Sequence, residues 1–99
     1  MVRQIVWVYQ AQKDRIQILT YWLNRNKSNT FSRKLDNDIR KSLDIISKFP
    51  LIGKPTDKPK IRIKMVADYF LIYEITDNEI IVLRIWDSRR NPGDLEYYK

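Results

Sequence analysis

The stretch that decides the fold is Glu79–Pro92, with the sequence EIIVLRIWDSRRNP. Its first part, residues 80–85, is mostly apolar and β-branched, which is typical of a strand buried in a sheet. The Asn-Pro pair at its end stops any regular element. The strand therefore carries Arg84, Arg89 and Arg90 to one end of a small sheet, where a hydrophobic core has no use for them.

Length and composition indicate one folded domain spanning residues 1–99. The chain is 43% hydrophobic and 31% charged, which is typical of a globular protein. It contains no cysteine and no histidine, which excludes disulfides, ordinary zinc sites and histidine-based catalysis. We therefore expect no metal and no cofactor. The N-terminal stretch lacks a signal-peptide pattern and no apolar run reaches membrane-spanning length, so we expect a cytoplasmic protein with no membrane partner.

The net charge of +7 and the isoelectric point near 9.8 allow two interpretations. A surplus of lysine can serve solubility alone. It can also mark a polyanionic partner, either nucleic acid or an acidic protein that masks a basic face. Charge by itself does not choose between them, so the positions of the cations must.

Hydrophobic periodicity predicts six elements along the chain. Apolar residues spaced four, four, four and three apart between Phe31 and Ile46 predict a helix with a narrow apolar stripe, which Pro50 ends. In the first helix, the expected apolar side carries Ile16, Leu19 and Leu23 at i, i+3 and i+7, with Ile18 and Trp22 beside them. Leu51–Pro59 reads as a loop. The predicted elements are a strand over Gln4–Tyr9, helices over Ala11–Lys27 and Thr30–Lys48, and strands over Lys60–Val66, Tyr69–Ile75 and Ile80–Trp86.

These elements predict an α+β fold in which an antiparallel two-helix hairpin packs on one face of a small, largely antiparallel sheet. Two-residue loops in both hairpins would pair Arg62 with Tyr73 and Tyr73 with Val82. They would also pair Lys64 with Leu71, and Leu71 with Arg84. The predicted core face carries Ile61, Ile63, Met65, Phe70, Ile72, Ile81, Leu83 and Ile85. The predicted open face carries Lys60, Arg62, Lys64, Tyr69, Tyr73, Arg84 and Trp86.

The predicted open face interleaves cations with aromatic rings. Single-stranded nucleic acid requires such a surface, because cations hold phosphates and rings stack on bases. Two alternatives to nucleic acid on this face are water and a strand or helix of a partner protein. A three-residue first loop would place Arg62 and Arg84 on different faces. The predicted RNA contacts are Lys54, Lys58, Lys60, Tyr73, Trp86 and Arg90.

Several short motifs follow one another in a recognisable order along almost the whole chain. They are Trp7, Ala11-x-x-Asp14, Tyr21-Trp22, Phe49-Pro50-x-x-Gly53, Arg62-Ile63-Lys64, Tyr69-x-Leu71-Ile72-Tyr73, and Ile85 through Arg89-Arg90. In this order the chain resembles the RelE/ParE superfamily, the toxin half of bacterial type II toxin–antitoxin pairs. The resemblance implies a β-α-α-β-β-β fold and a growth-inhibiting toxin that a small antitoxin protein holds inactive.

The branches of this superfamily differ in target. RelE-like members enter the ribosome and cut mRNA, whereas ParE-like members poison DNA gyrase and need no nuclease centre. The resemblance therefore implies a ribosome-dependent mRNA endonuclease that needs no metal, or alternatively a gyrase poison without intrinsic nuclease activity. A third hypothesis is a non-toxic member that only binds its partner.

For a nuclease, the resemblance implies a catalytic set that contains no histidine. Arg62 and Lys64 align with a Lys-x-Lys pair of RelE-like members, and Arg89 or Arg90 with an arginine after their last strand. Arginines stabilise the charge of a phosphorane, and neighbouring cations favour the neutral form of Lys64 as a base. Tyr97 or Tyr98 can stand for the family's C-terminal tyrosine, which would act as the acid. Phe70 occupies the position of the arginine that precedes Leu-Val-Tyr in RelE-like members. The predicted catalytic set is Arg62, Lys64, Arg84, Arg89 and Tyr97.

Overall fold

The structure is a computed structural model that describes residues 2–90, and the elements follow in the predicted order. The helices are α1 (Tyr9–Asn26) and α2 (Thr30–Lys48), with a 3-10 turn over Pro50–Ile52. The strands are β1 (Gln4–Trp7), β2 (Lys54–Pro55), β3 (Ile61–Val66), β4 (Tyr69–Ile75) and β5 (Glu79–Asp87). The loop predicted over Leu51–Pro59 thus contains a two-residue strand that periodicity cannot detect.

The five strands form one sheet in the order β1-β5-β4-β3-β2. β1 lies parallel to β5, and the other neighbours are antiparallel. This arrangement confirms the predicted α+β fold, with two helices followed by a meander. No helix among residues 2–90 combines the length and the apolar character needed to cross a membrane.

The two helices pack on one face of the sheet and form the main core with it. The apolar stripe of α2 is buried as predicted over Leu35, Ile39, Leu43 and Ile46. The prediction for α1 was wrong in detail. Ile16 and Leu23 are exposed, because the side of α1 that faces the core carries Ile18, Leu19 and Trp22.

The predicted register is confirmed at three pairs and wrong at one. Arg62 pairs with Tyr73, Lys64 with Leu71, and Tyr73 with Val82. Leu71, however, pairs with Ile85 and not with Arg84, which lies opposite Ile72. The register shifts at Ile72/Tyr73, because β5 contributes one extra residue there, Leu83.

The assignment of the two sheet faces was also wrong. Tyr69, Leu71, Tyr73 and Val82 belong to the core under the helices, together with Ile85, which was predicted to lie there. The opposite face carries a second apolar cluster of Ile61, Ile63, Ile72 and Trp86, flanked by Phe70 and Leu83. Both faces of the central strands are apolar, so alternation could not show which one receives the helices. The predicted register placed Tyr69 and Tyr73 on the open face, yet both are buried and their hydroxyl groups bind protein partners.

Candidate functional site

Asp14 of α1 holds the C-terminal half of β5. The N–H of Val8 donates to the carbonyl of Val82 where β1 ends, so no described strand continues along this side of β5. Asp14 replaces the missing strand there. Its Oδ2 accepts from the backbone N–H of Ile85 at 3.0 Å and from Nε of Arg84 at 2.7 Å, and its Oδ1 accepts from Nη2 of Arg84 at 3.2 Å. The carboxylate is 6% exposed, so Arg84 is committed to a buried ion pair.

Asp87, the last residue of β5, holds the next arginine in the same way. Its carboxylate accepts from Nε of Arg89 at 2.9 Å and from Nη2 at 2.7 Å. This hydrogen bonding lowers the pKa of Asp87 and raises that of Arg89. The N–H groups of the Arg89 guanidinium are therefore occupied by a carboxylate. Two other guanidinium groups lie over the ring of Trp86: that of Arg90 is 3.9 Å from the ring centroid, and that of Arg84 is 5.2 Å from the same centroid.

A cleft of about 360 Å³ lies between α1 and the end of β5. Its wall includes Tyr69, whose hydroxyl oxygen accepts a hydrogen bond from Nε1 of Trp22 at 2.7 Å. Burial raises the pKa of Tyr69. Besides Tyr69 the cleft is lined by Asp14, Gln17, Ile18, Tyr21, Ile85, Asp87, Arg89 and Arg90. Both carboxylates and guanidinium groups line this wall, so it is not a purely cationic surface.

The segment after α2 is fastened to β3 and β4 by Tyr73 and Arg62. The hydroxyl of Tyr73 donates to the carbonyl of Pro50 at 2.6 Å and accepts from the N–H of Gly53 at 3.0 Å. Nη1 of Arg62 donates to the carbonyls of Gly53 at 2.8 Å and of Leu51 at 3.1 Å. Burial raises the pKa of Tyr73. The Phe49-Pro50-x-x-Gly53 motif thus builds a structural turn.

Gly53 has a specific steric role in this turn. A Cβ atom at this position would lie 2.6 Å from the Tyr73 hydroxyl oxygen and 3.0 Å from the carbonyl oxygen of Ile63. Since real Cβ atoms do not approach other heavy atoms so closely, only glycine fits without movement of buried groups. Its backbone conformation is extended and unstrained, so the requirement is one of space.

Lys64 differs from the arginines. Within residues 2–90 it has no ion pair or hydrogen bond through its ammonium group. It lines a second cleft, of about 300 Å³, at the outer edge of β3. That cleft lies on the β2 side of the sheet, whereas Asp87 and Arg89 lie at the end of β5 under α1.

The predicted site residues therefore do not share one face. Arg62 binds backbone carbonyls, and Arg84 and Arg89 each bind a carboxylate. The predicted stacking rings are buried: Tyr73 is 0% exposed and Trp86 is 2% exposed. The geometric prediction of a bare cationic sheet face is wrong, because the helices cover the face that was expected to be open.

The remaining predicted contacts fall into three groups. Lys54 and Lys60 are exposed around the β2–β3 connection, and Lys58 is half-buried. Arg90 covers the Trp86 ring. Tyr97, the predicted acid, lies outside the described residues.

Sequence reasoning missed the structural roles of Asp14 and Asp87. Asp14 was part of the Ala11-x-x-Asp14 motif, and an acidic residue on the core-facing side of a helix is a signal for a buried ion pair. Asp87 stands two residues before Arg89, a spacing that allows local pairing in a turn. Both signals were present in the sequence, but only the fold shows which arginine each carboxylate holds.

Comparison with known proteins gives a consistent result. A family model described as ParE toxin of type II toxin-antitoxin system, parDE, matches residues 5–92. The chain is similar to a solved structure of the chromosomal ParDE toxin–antitoxin system from P. aeruginosa, with a TM-score of 0.72 and 18% identity over 87% of this chain and 96% of that one. It is also similar to the toxin–antitoxin complex RelBE2 from Mycobacterium tuberculosis, with a TM-score of 0.58 and 18% identity over 88% and 99% of the two chains. Among curated proteins the search finds no match.

Proposed function

This chain belongs to the ParE toxin family of type II toxin–antitoxin systems, and on that premise we propose that it arrests growth by binding DNA gyrase, without cutting RNA itself. The observation that carries this proposal is the engagement of the predicted catalytic arginines. Arg84 and Arg89 are each held by a carboxylate, and Arg62 is held by the carbonyls of a buried turn. A phosphorane needs donors that are preorganised and unoccupied, and these three are occupied.

The distance between Lys64 and the arginines at the end of β5 supports the same proposal. Lys64 stands at the β3 edge, whereas Arg84 and Arg89 stand where β5 meets α1. General base and charge stabilisation must act on one phosphate within hydrogen-bond reach. A protein that binds its target has no such requirement, so a ParE-like mode fits this distribution of charges better.

We propose an antitoxin as the natural partner of the chain. The two similar solved structures are both described as toxin–antitoxin systems or complexes. A net charge of +7 favours an acidic or amphipathic antitoxin segment. Co-purification of the native operon products is expected to give the two proteins together, and recovery of this chain alone would count against an antitoxin partner.

The gyrase proposal is tested with purified gyrase and supercoiled plasmid DNA. Addition of the chain is expected to trap enzyme–DNA breaks, seen as linear plasmid after detergent and protease treatment. In parallel, the chain is induced in bacteria and the 5′ ends of mRNA are mapped. Growth arrest with gyrase breaks and without codon-positioned cuts supports the proposal, whereas codon-positioned cuts without gyrase breaks refute it.

One observation favours ribosome-dependent mRNA cleavage as a second candidate. The Lys64 ammonium group has no partner among residues 2–90 and remains accessible at a cleft, as a base that meets its substrate on the ribosome should be. In that case the ribosome would hold the mRNA in position for cleavage. Lys64→Ala would then abolish mRNA cleavage while the melting temperature stays close to that of the wild type.

A further inference from the structure

A third cleft, of about 460 Å³, lies between β1 and the C-terminal half of α2, and we call it the β1–α2 cleft. Its volume lies within the range of about 300–1,000 Å³ that is typical of small-molecule sites. Such sites combine an apolar wall with a few charged or polar groups that fix the ligand. The β1–α2 cleft has this composition, and its main lining residues are Arg3, Ile5, Trp7, Arg15, Arg40 and Leu43.

Two residues of β1 that line the cleft have backbone donors on the outer side of the strand. The N–H of Val8, just after β1, donates to the carbonyl of Val82 in β5. Alternate residues of a strand bond to the same neighbour, so the N–H groups of Ile5 and Trp7 point away from β5. Neither N–H group has a hydrogen-bond partner within residues 2–90. The outer side of β1 therefore offers two unpaired donors to a ligand in the cleft.

The outer side of β1 is closed at both ends. At its start, the N–H of Arg3 donates to the carbonyl of Ser47 near the end of α2 at 3.0 Å. At its other end, the chain enters α1 at Tyr9. Between these points lie the 4 residues of β1, which give about 13 Å of strand edge. An edge this short fits a small molecule better than an added strand.

Guanidinium groups at the cleft keep part of their donors available. Arg3 donates through Nε to the carbonyl of Thr76 at 2.8 Å, and Nε of Arg40 lies 3.3 Å from Oδ2 of Asp36. The Nη groups of Arg3 and Arg40 make no hydrogen bond in the part of the chain that the structure describes. Arg15 differs, because Asp36 accepts from both its Nε and its Nη2. Arg3 and Arg40 are therefore the arginines that can bind an anion.

Trp7 gives the cleft an aromatic wall beside these cations. Its side chain is half-buried, and the guanidinium of Arg15 lies 5.7 Å from its ring centroid. Aliphatic side chains of β1 and α2 continue the apolar wall. Among the described lining residues, the carboxylate is that of Asp44, which lies 3.2 Å from Nζ of Lys48. The cleft thus fits a planar ring that carries an anionic group.

We propose that the β1–α2 cleft binds a nucleotide, in which a planar base is joined to phosphate groups. The base packs against Trp7, and the phosphate oxygens accept hydrogen bonds from Arg3 and Arg40. The guanidinium fork matches phosphate oxygens in geometry and charge, and aromatic side chains stack on bases. The N–H groups of Ile5 and Trp7 supply further donors. This binding does not depend on which target the toxin has.

The test uses the purified full-length chain with the nucleotides ATP and GTP and with two fragments, adenosine and tripolyphosphate. Binding is followed by heteronuclear NMR, which also locates the ligand. We expect at least one nucleotide to bind saturably and to shift the backbone amides of Ile5 and Trp7 and the indole N–H of Trp7. Adenosine lacks the phosphates and tripolyphosphate lacks the base, so each fragment should bind at least roughly tenfold more weakly than the nucleotide.

The matched variants are Arg40→Gln and Arg33→Gln, because each removes one exposed positive charge from α2. Arg33 lies about two turns before Arg40 and is not among the residues that line the cleft. We expect Arg40→Gln to weaken nucleotide binding roughly tenfold, as loss of a charged hydrogen bond does, and Arg33→Gln to change it less than about twofold. Arg3→Gln is a second variant, since glutamine keeps an N–H donor for the carbonyl of Thr76.

Several outcomes would overturn the proposal. Binding of neither nucleotide, or binding of a fragment as tightly as the nucleotide, would remove the need for a site that holds both base and phosphate. Equal weakening by Arg40→Gln and Arg33→Gln would show general electrostatic attraction. Nucleotide binding that leaves Ile5 and Trp7 unshifted would place the ligand elsewhere. An acidic peptide that shifts these amides when nucleotides do not would assign the edge of β1 to a polypeptide. None of these results bears on the gyrase assay, so the two proposals fail separately.

Discussion

Removing one oxygen atom from the core is expected to show what holds the turn after α2. Tyr73→Phe deletes a hydroxyl that donates to the carbonyl of Pro50 at 2.6 Å and accepts from the N–H of Gly53 at 3.0 Å. The ring stays in place, so no cavity larger than the hydroxyl forms. The hydrogen bond that the N–H of Gly53 donates is buried, so the substitution leaves this donor unpaired.

The expected cost follows from the two hydrogen bonds. A net hydrogen bond contributes about 1 kcal/mol, and a buried donor left unpaired costs roughly 1–3 kcal/mol. Together these give a loss of about 2 to 4 kcal/mol in the free energy of unfolding. For a domain of this size the melting temperature falls by roughly 4–8 °C for each kcal/mol, which predicts a decrease of about 8 to 32 °C.

The assay is urea denaturation followed by circular dichroism, with a thermal melt as a second measurement. Tyr21→Phe is the matched control, because Tyr21 is 50% exposed on α1 and its hydroxyl group makes no hydrogen bond within residues 2–90. We expect the control to change the stability by less than about 0.5 kcal/mol. Equal midpoints for the two variants would refute the assignment of Tyr73 as the fastening of the turn.

A double-mutant cycle with Gly53→Ala sharpens the test. In the wild-type background the new methyl group would meet the Tyr73 hydroxyl oxygen at 2.6 Å, so the turn must shift. In the Tyr73→Phe background that oxygen is absent, and the same substitution should cost less. Additive effects of the two substitutions would contradict the steric argument.

Two further predictions concern charge. Asp14→Ala leaves Arg84 without its carboxylate and should destabilise the protein by roughly 3–5 kcal/mol in urea denaturation, because the aspartate of the pair is buried. The control Asp38→Ala removes one member of an exposed ion pair and should cost less than about 1 kcal/mol. Similar costs for the two variants would show that the ion pair of Asp14 does not stabilise the fold. Burial raises the pKa of Tyr69 and of Tyr73 in the folded protein. The free energy of unfolding that these neutral tyrosines contribute is therefore complete below the unfolded tyrosine pKa of about 10 and is lost as the pH rises above it. In an absorbance titration at alkaline pH these two tyrosines should ionise only with unfolding, and full ionisation of every tyrosine while circular dichroism stays native would refute this.

The predicted elements were accurate where periodicity and stop signals agree. The α2 helix, from Thr30 to Lys48, and the β4 strand, from Tyr69 to Ile75, have the predicted ends, because a strong apolar stripe and adjacent turn residues bound them. In α1 the apolar residues surround much of the helix, so Ile16 and Leu23 could not be told from the buried positions. The two-residue strand β2 is too short to have a period.

The candidate site was less accessible to sequence reasoning. The residue types and their spacing predicted that lysines and arginines concentrate in β3 and after β5, and in the structure they do lie there. Whether a guanidinium is available depends on what lies within 3 Å of it, and the carboxylates of Asp14 and Asp87 are brought there only by folding. Asp14 lies 70 residues from Arg84 along the chain.

By itself, the sequence determined a single α+β chain in which two helices precede a meander of strands, because hydrophobic period and turn residues are local properties. It also determined the excess of positive charge and excluded disulfides and histidine chemistry, since composition alone decides these. The tertiary structure decided which face of the sheet the helices cover, because both faces are apolar and only packing distinguishes them. It also placed Arg84 opposite Ile72, through one extra residue at Leu83. Asp14 of α1 reaches Arg84 only in the folded protein, because the two residues are 70 positions apart along the chain.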